Sequence, residues 1–133
     1  MTLTAAIGMP AVSAEHYNVY NYDRWDEATP SQAGYAAQRA VSGLDLGCGA
    51  FNPPSDLFRD WEDRFYIADS GNNRIVVTDS GFSKATRIYD KLKTADGETT
   101  LKDPEGIYVS EETQCMYIAD TGNSRLLVCD LDG

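Results

Sequence analysis

Phe65-Tyr-Ile-Ala-Asp-Ser-Gly-Asn-Asn-Arg-Ile-Val-Val-Thr-Asp79 returns as Met116-Tyr-Ile-Ala-Asp-Thr-Gly-Asn-Ser-Arg-Leu-Leu-Val-Cys-Asp130, shifted by 51 residues. Each copy has two apolar, β-branched runs separated by turn-forming residues, the pattern of two strands joined by a tight connection. Asp69 can accept backbone N–H bonds in an Asx-turn, and Gly71 with Asn72 or Asn73 tolerates a positive φ. The same types recur at Asp120, Gly122 and Asn123. The repetition continues upstream, where Phe51-Asn-Pro-Pro54 aligns with Leu101-Lys-Asp-Pro104 and Asp56-Leu-Phe with Gly106-Ile-Tyr, now shifted by 50. The one-residue change falls in the loop between the copies, where insertions are tolerated.

A period near 50 built from short strands and turns predicts an all-β fold of β-propeller type, one four-stranded blade per period. In the first repeat, about residues 51–90, the strands are expected at Asp56–Arg59, Arg64–Ala68, Arg74–Thr78 and Ala85–Tyr89. In the second, about 101–133, Gly106–Val109, Gln114–Ala119 and Arg125–Cys129 supply three strands. Arg39–Val41 reads as the outer strand of a further blade, so the partial propeller is expected over 37–133. Two blades leave sheet faces uncovered, and propellers close with four to eight. The chain is therefore expected to be an N-terminal fragment of a longer ring, or else to assemble in several copies.

Tyr-Ile-Ala-Asp-Ser-Gly-Asn-Asn-Arg-Ile, residues 66–75, closely resembles the NHL repeat, and the likeness runs roughly from Phe51 to Gly133. That resemblance implies a six-bladed or similar ring. A less specific one links Tyr17-Asn-Val-Tyr-Asn-Tyr-Asp-Arg-Trp25 to exported NHL proteins of Gram-positive bacteria, often tied to carbohydrate uptake. Propeller lactonases of the gluconolactonase type hold a divalent metal at the central channel. The amidating lyases of the NHL group use histidines just after the loop proline, where this chain has Ser55 and Glu105. The only histidine, His16, lies outside the repeats, so a histidine zinc site is excluded.

Ligands of such rings are expected on loops around the channel. The segment leading into each first strand offers Asn52, Ser55, Asp56, Asp103 and Glu105. Carboxylates from adjacent blades could help hold Ca²⁺, which takes several oxygen ligands; a solvated acidic loop is the plainer alternative. Arg74 and Arg125 follow Asp69 and Asp120 at one spacing, so each Arg is expected to pair with a turn carboxylate and fasten the blades. No Gly-x-Ser-x-Gly, phosphate-cradling glycine loop or His-Glu-x-x-His motif is present. The expected function is a non-catalytic binding or scaffold propeller taking a protein, peptide or carbohydrate. The alternative is a metal-dependent lactonase or lyase completed by further blades.

The remaining features bound this reading. The 133 residues are 42% hydrophobic with a net charge of −10, which disfavours nucleic acid, and no apolar run is long enough for a membrane span. Of the three cysteines, Cys115 and Cys129 flank one hairpin and could lie opposite each other, while Cys48 sits between two glycines. Residues 1–14 carry no charge and end in small residues suited to signal peptidase, reading as a signal-peptide remnant or a disordered N-terminus. This points to a secreted or cell-surface location. Residues 15–36 form an aromatic leading segment whose Tyr17, Tyr20, Tyr22 and Trp25 could stack on sugar rings or pack along the propeller.

Overall fold

The computed structural model describes residues 20–22, 24–25, 27–30 and 38–131, in two units, Met1–Ala40 and Val41–Gly133. In the first unit β1 (Tyr20–Tyr22) pairs antiparallel with β2 (Ala28–Pro30). Between them the Arg24 guanidinium lies 4.7 Å over the exposed ring of Trp25. The expectations for residues 1–14, for His16 and for Tyr17 fall outside the described residues.

The second unit contains the repeats. The first blade is a four-stranded antiparallel sheet in sequential order: β3 (Pro54–Arg59), β4 (Phe65–Asp69), β5 (Arg74–Thr78) and β6 (Ala85–Tyr89). Next comes a small hairpin, β7 (Lys91–Thr94) with β8 (Gly97–Thr100). The second blade has three strands among the described residues: β9 (Pro104–Ser110), β10 (Cys115–Asp120) and β11 (Arg125–Asp130). The strands stand where the repeat predicts them, within two residues at each end. The segment between the repeats is the exception, because residues 91–100 form a hairpin rather than a loop. Its Leu92 is buried between the blades, so the insertion contributes to the core.

Strand alternation sends each blade's residues to two faces. Phe58, Tyr66, Ala68, Ile75 and Val77 of the first blade meet Ile107, Val109, Met116 and Ile118 of the second in the main core. The opposite face of the first blade, with Ile67 and Val76, is covered by Leu46 and Cys48. These belong to a compact loop over 42–51, in which Asp45 accepts from the Ser42 N–H at 2.8 Å and its hydroxyl at 2.6 Å. The loop is tied to the edge of β6 where the Ala85 N–H donates to the Leu46 carbonyl at 2.8 Å. Cys48 is therefore a core residue rather than a mere loop filler. Arg39–Val41, expected as a strand, has no strand structure; Val41 instead packs against this second cluster. Nonpolar burial outweighs the weak strand propensity of three residues.

Cys115 and Cys129 are free thiols. In the β10–β11 register Cys129 opposes Met116 and Cys115 opposes Asp130, so the two cysteines are one position out of line. Adjacent positions point to opposite faces of a sheet.

Candidate functional site

The turn motif forms the same constellation twice. Asp69 and Asp120 each precede a single 3-10 turn, Ser70–Asn72 and Thr121–Asn123. The side chains of both aspartates are fully buried. In the first blade the Arg74 Nε donates to Asp69 Oδ2 at 2.7 Å, and Asn72 Nδ2 donates to the same oxygen at 2.9 Å. The other oxygen, Oδ1, accepts the Asn52 backbone N–H at 2.8 Å. In the second blade Arg125, Asn123 and the Lys102 N–H serve Asp120 at 2.7, 2.9 and 2.7 Å. A carboxylate can be buried only when charge and hydrogen bonds compensate its lost hydration. Burial alone would raise the Asp120 pKa, but Asn123, the Lys102 N–H and Arg125 outweigh it and hold the carboxyl below its usual value.

The arginines reach further. Arg74 Nη1 donates to the Cys48 carbonyl at 2.7 Å, and Arg125 Nη2 donates to Thr99 Oγ1 at 2.7 Å. Each pair thus ties a turn to the segment leading into its own blade. The glycines work differently from the sequence expectation. The left-handed residues are Asn73 (φ 55°) and Ser124 (φ 52°), one place beyond the asparagines. A Cβ on Gly71 would sit 2.0 Å from the Asn52 carbonyl oxygen, and one on Gly122 would sit 2.7 Å from that of Lys102. Both glycines are there for close approach of backbone, not for φ.

Of the five residues expected to face a ligand, two are engaged between the blades. Asp56 Oδ2 accepts the Ile107 N–H at 2.8 Å and Oδ1 accepts that of Leu57 at 2.8 Å. Ser55 Oγ donates to the Pro104 carbonyl at 3.2 Å, which also accepts the Ser70 hydroxyl at 2.5 Å. Asn52, Asp103 and Glu105 are exposed. Asp103 has a φ of 48°, and its N–H donates to Asn73 Oδ1 at 2.7 Å, which fixes its position beside the first blade's turn. The result is a polar edge whose exposed groups are one amide and two carboxylates. Among the described residues no group of three or more His, Cys, Asp or Glu gathers in metal-binding reach.

Sequence reasoning missed the roles of Ser70 and Asn73 in joining the blades, although the first retains a hydroxyl as Thr121. It also missed the outer clasp. There Arg87 Nη1 and the Tyr89 hydroxyl both donate to the Leu131 carbonyl, at 2.9 and 2.8 Å. Nothing local marks these residues, since each acts on a segment more than 30 positions away in the chain.

No family model matches the chain. The chain is 26% identical over 98 residues to NHL repeat-containing protein 2 of Bos taurus, a match that covers 69% of this chain and 14% of that protein. The Homo sapiens counterpart gives the same identity and coverage. That of Gallus gallus is 30% identical over 76 residues, covering 50% of this chain and 10% of that protein. The chain thus spans about a seventh of the length of the first two relatives. Taken with the two blades, these partial matches support an NHL-repeat family and a propeller scaffold.

Proposed function

We propose that the chain is a non-catalytic binding scaffold from an NHL-type propeller of about six blades, acting outside the cytoplasm. Its ligand is a protein, peptide or carbohydrate, taken at the edge carrying Asn52, Asp103 and Glu105, and carbohydrate uptake is the setting that fits the aromatic leading segment. The observation that carries this reading is the division of labour at the blade junction. Ser55 and Asp56 spend their polar atoms on Pro104 and Ile107, whereas Asn52, Asp103 and Glu105 stay exposed beside them. Rigid backbone beneath exposed polar groups is what a recognition surface requires. The uncharged residues 1–14 support export.

Binding to arrayed glycans and peptides, followed by calorimetry with the full chain, tests the proposal. Asp103→Asn and Glu105→Gln are expected to weaken the selected ligand at least tenfold, with no metal requirement. Stoichiometric Ca²⁺ or Zn²⁺ binding lost in Glu105→Gln, together with lactone hydrolysis, would instead establish the enzyme.

A further inference from the structure

The two blades hide different faces. Phe58, Tyr66, Ala68, Ile75 and Val77 receive the second blade. Under the repeat shift their equivalents are Tyr108, Tyr117, Ala119, Leu126 and Val128, and that face is open. Ile75 is 0% exposed, whereas Leu126 is 81%, Val128 60%, Tyr108 55% and Tyr117 37% exposed. A shallow, almost wholly apolar depression of about 470 Å³ lies over these side chains. It is continuous with the packed interface: the Tyr108 ring centroid is 5.3 Å from that of Phe58 and 6.0 Å from that of Tyr117.

We infer that this face is the seat of a further blade of the same repeat, and that stacking proceeds in this direction only. The occupant must present what the second blade presents to the first: aliphatic residues at the positions of Ile107, Val109, Met116 and Ile118, and a small residue like Gly106. Thr121 keeps a hydroxyl where Ser70 meets the Pro104 carbonyl. The carboxylate moves by one place, since Glu105 and Gly106 stand where the first blade has Ser55 and Asp56. A second copy of this chain cannot supply the complementary face in the same geometry. Its own second blade already buries that face in the core, and the matching residues of its first blade, Ile67 and Val76, lie under Leu46 and Cys48. The loop over 42–51 is therefore a terminal cap. The inference rests on blade packing and not on the ligand proposed above, so variants at Asp103 and Glu105 leave it untouched.

The test extends the full chain at Asp130 by a second copy of residues 80–131, so that the copied β9–β11 can reach the open face. Leu126→Glu is made in both the parent and the extended chain. Leu126 contacts mostly water in the parent, so its melting temperature is expected to move by less than about 1 °C, and that of the extended chain to fall by about 5 °C or more. Amide exchange at Tyr117 and Leu126 is expected to slow at least tenfold on extension. Equal melting shifts in the two chains overturn the inference. So does exchange as fast in the extended chain as in the parent, whether from failed packing or failed folding. A parent dimer at micromolar concentration that Leu126→Glu abolishes makes a second copy the occupant instead, and overturns it too.

Discussion

Asp56 reaches from the first strand of one blade to accept the backbone N–H of Ile107 on the first strand of the next, at 2.8 Å. A charged acceptor on a backbone donor is among the stronger hydrogen bonds, and its loss strands a part-buried N–H. Asp56→Ala is expected to cost about 2 kcal/mol in urea unfolding. Amide exchange at Ile107 should accelerate selectively. Asp56→Asn keeps an acceptor and should lose less than half as much; equal losses would show that the bond to Ile107 is not what matters.

The buried turn carboxylates should separate sharply from the surface ion pairs. Asp120 is fully buried, and its removal leaves Arg125 and the Lys102 N–H without their shared acceptor. Asp120→Ala is expected to cost about 3 kcal/mol or more, in the range found when one partner of a buried pair is lost. Asp63 makes an exposed bridge to Arg59. Asp63→Ala should stay within about 1 kcal/mol. Chemical denaturation of both variants checks the ordering.

Substitution in the turn should reverse sign within a few residues. Gly71→Ala drives a methyl onto the Asn52 carbonyl, and rigid backbone on both sides prevents easy relief. It is expected to lose about 2 kcal/mol, as overpacking does. Ser124 holds a left-handed φ of 52° that glycine adopts without a side-chain clash. Ser124→Gly should therefore stabilise by up to about 1 kcal/mol. Thermal melts of the two variants should move in opposite directions.

Acid should loosen both blades together. Hydrogen bonds from the Ser83 hydroxyl and N–H hold the Asp79 carboxyl down to about 2, and Asp120 is lowered as well. A carboxylate whose pKa falls on folding stabilises the native state above its unfolded value, near 3.8. That contribution fades as pH drops through the folded value. Stability is expected to be flat on these groups' account from pH 7 to about 5, and to decline between pH 4 and 2. In Asp79→Asn the decline should be shallower.

Cys129 should resist alkylation. Burial, then the nearby Asp130 and Cys115, push its thiol up to about 11, so little thiolate exists at pH 8. Modification by iodoacetamide, followed by mass spectrometry, should be roughly a hundredfold slower than for the unfolded chain at that pH. Comparable rates in the two states would contradict the packing of β11.

Much of the fold is legible because its determinants are local. The β4–β5 and β10–β11 hairpins follow from period-two apolar runs around Asp, Gly and Asn, and their strand ends fall within two residues of those read from the chain. The Asp69–Arg74 and Asp120–Arg125 pairs are legible for the same reason, since five residues separate the partners and the turn returns one to the other. The role of glycine is not, because the Asn52 carbonyl that crowds Gly71 comes from a segment distant in the chain. The strand expected at Arg39–Val41 and the loop expected at 91–100 both fail where the pattern is shortest, leaving burial of Val41 and Leu92 to decide. The candidate site is divided likewise. Its five residues are recognisable by their place before the first strands, but not which of them the neighbouring blade would claim.

Near-identical words, then, made near-identical hairpins here: alternation and turn chemistry act between residues a few positions apart and need no partner. Which side of each hairpin meets protein was settled only in three dimensions. Ile75 and Leu126 occupy the same place in the repeat, yet one is wholly covered and the other lies open. Hydrophobic burial depends on what stands opposite, and a second blade stands opposite the first.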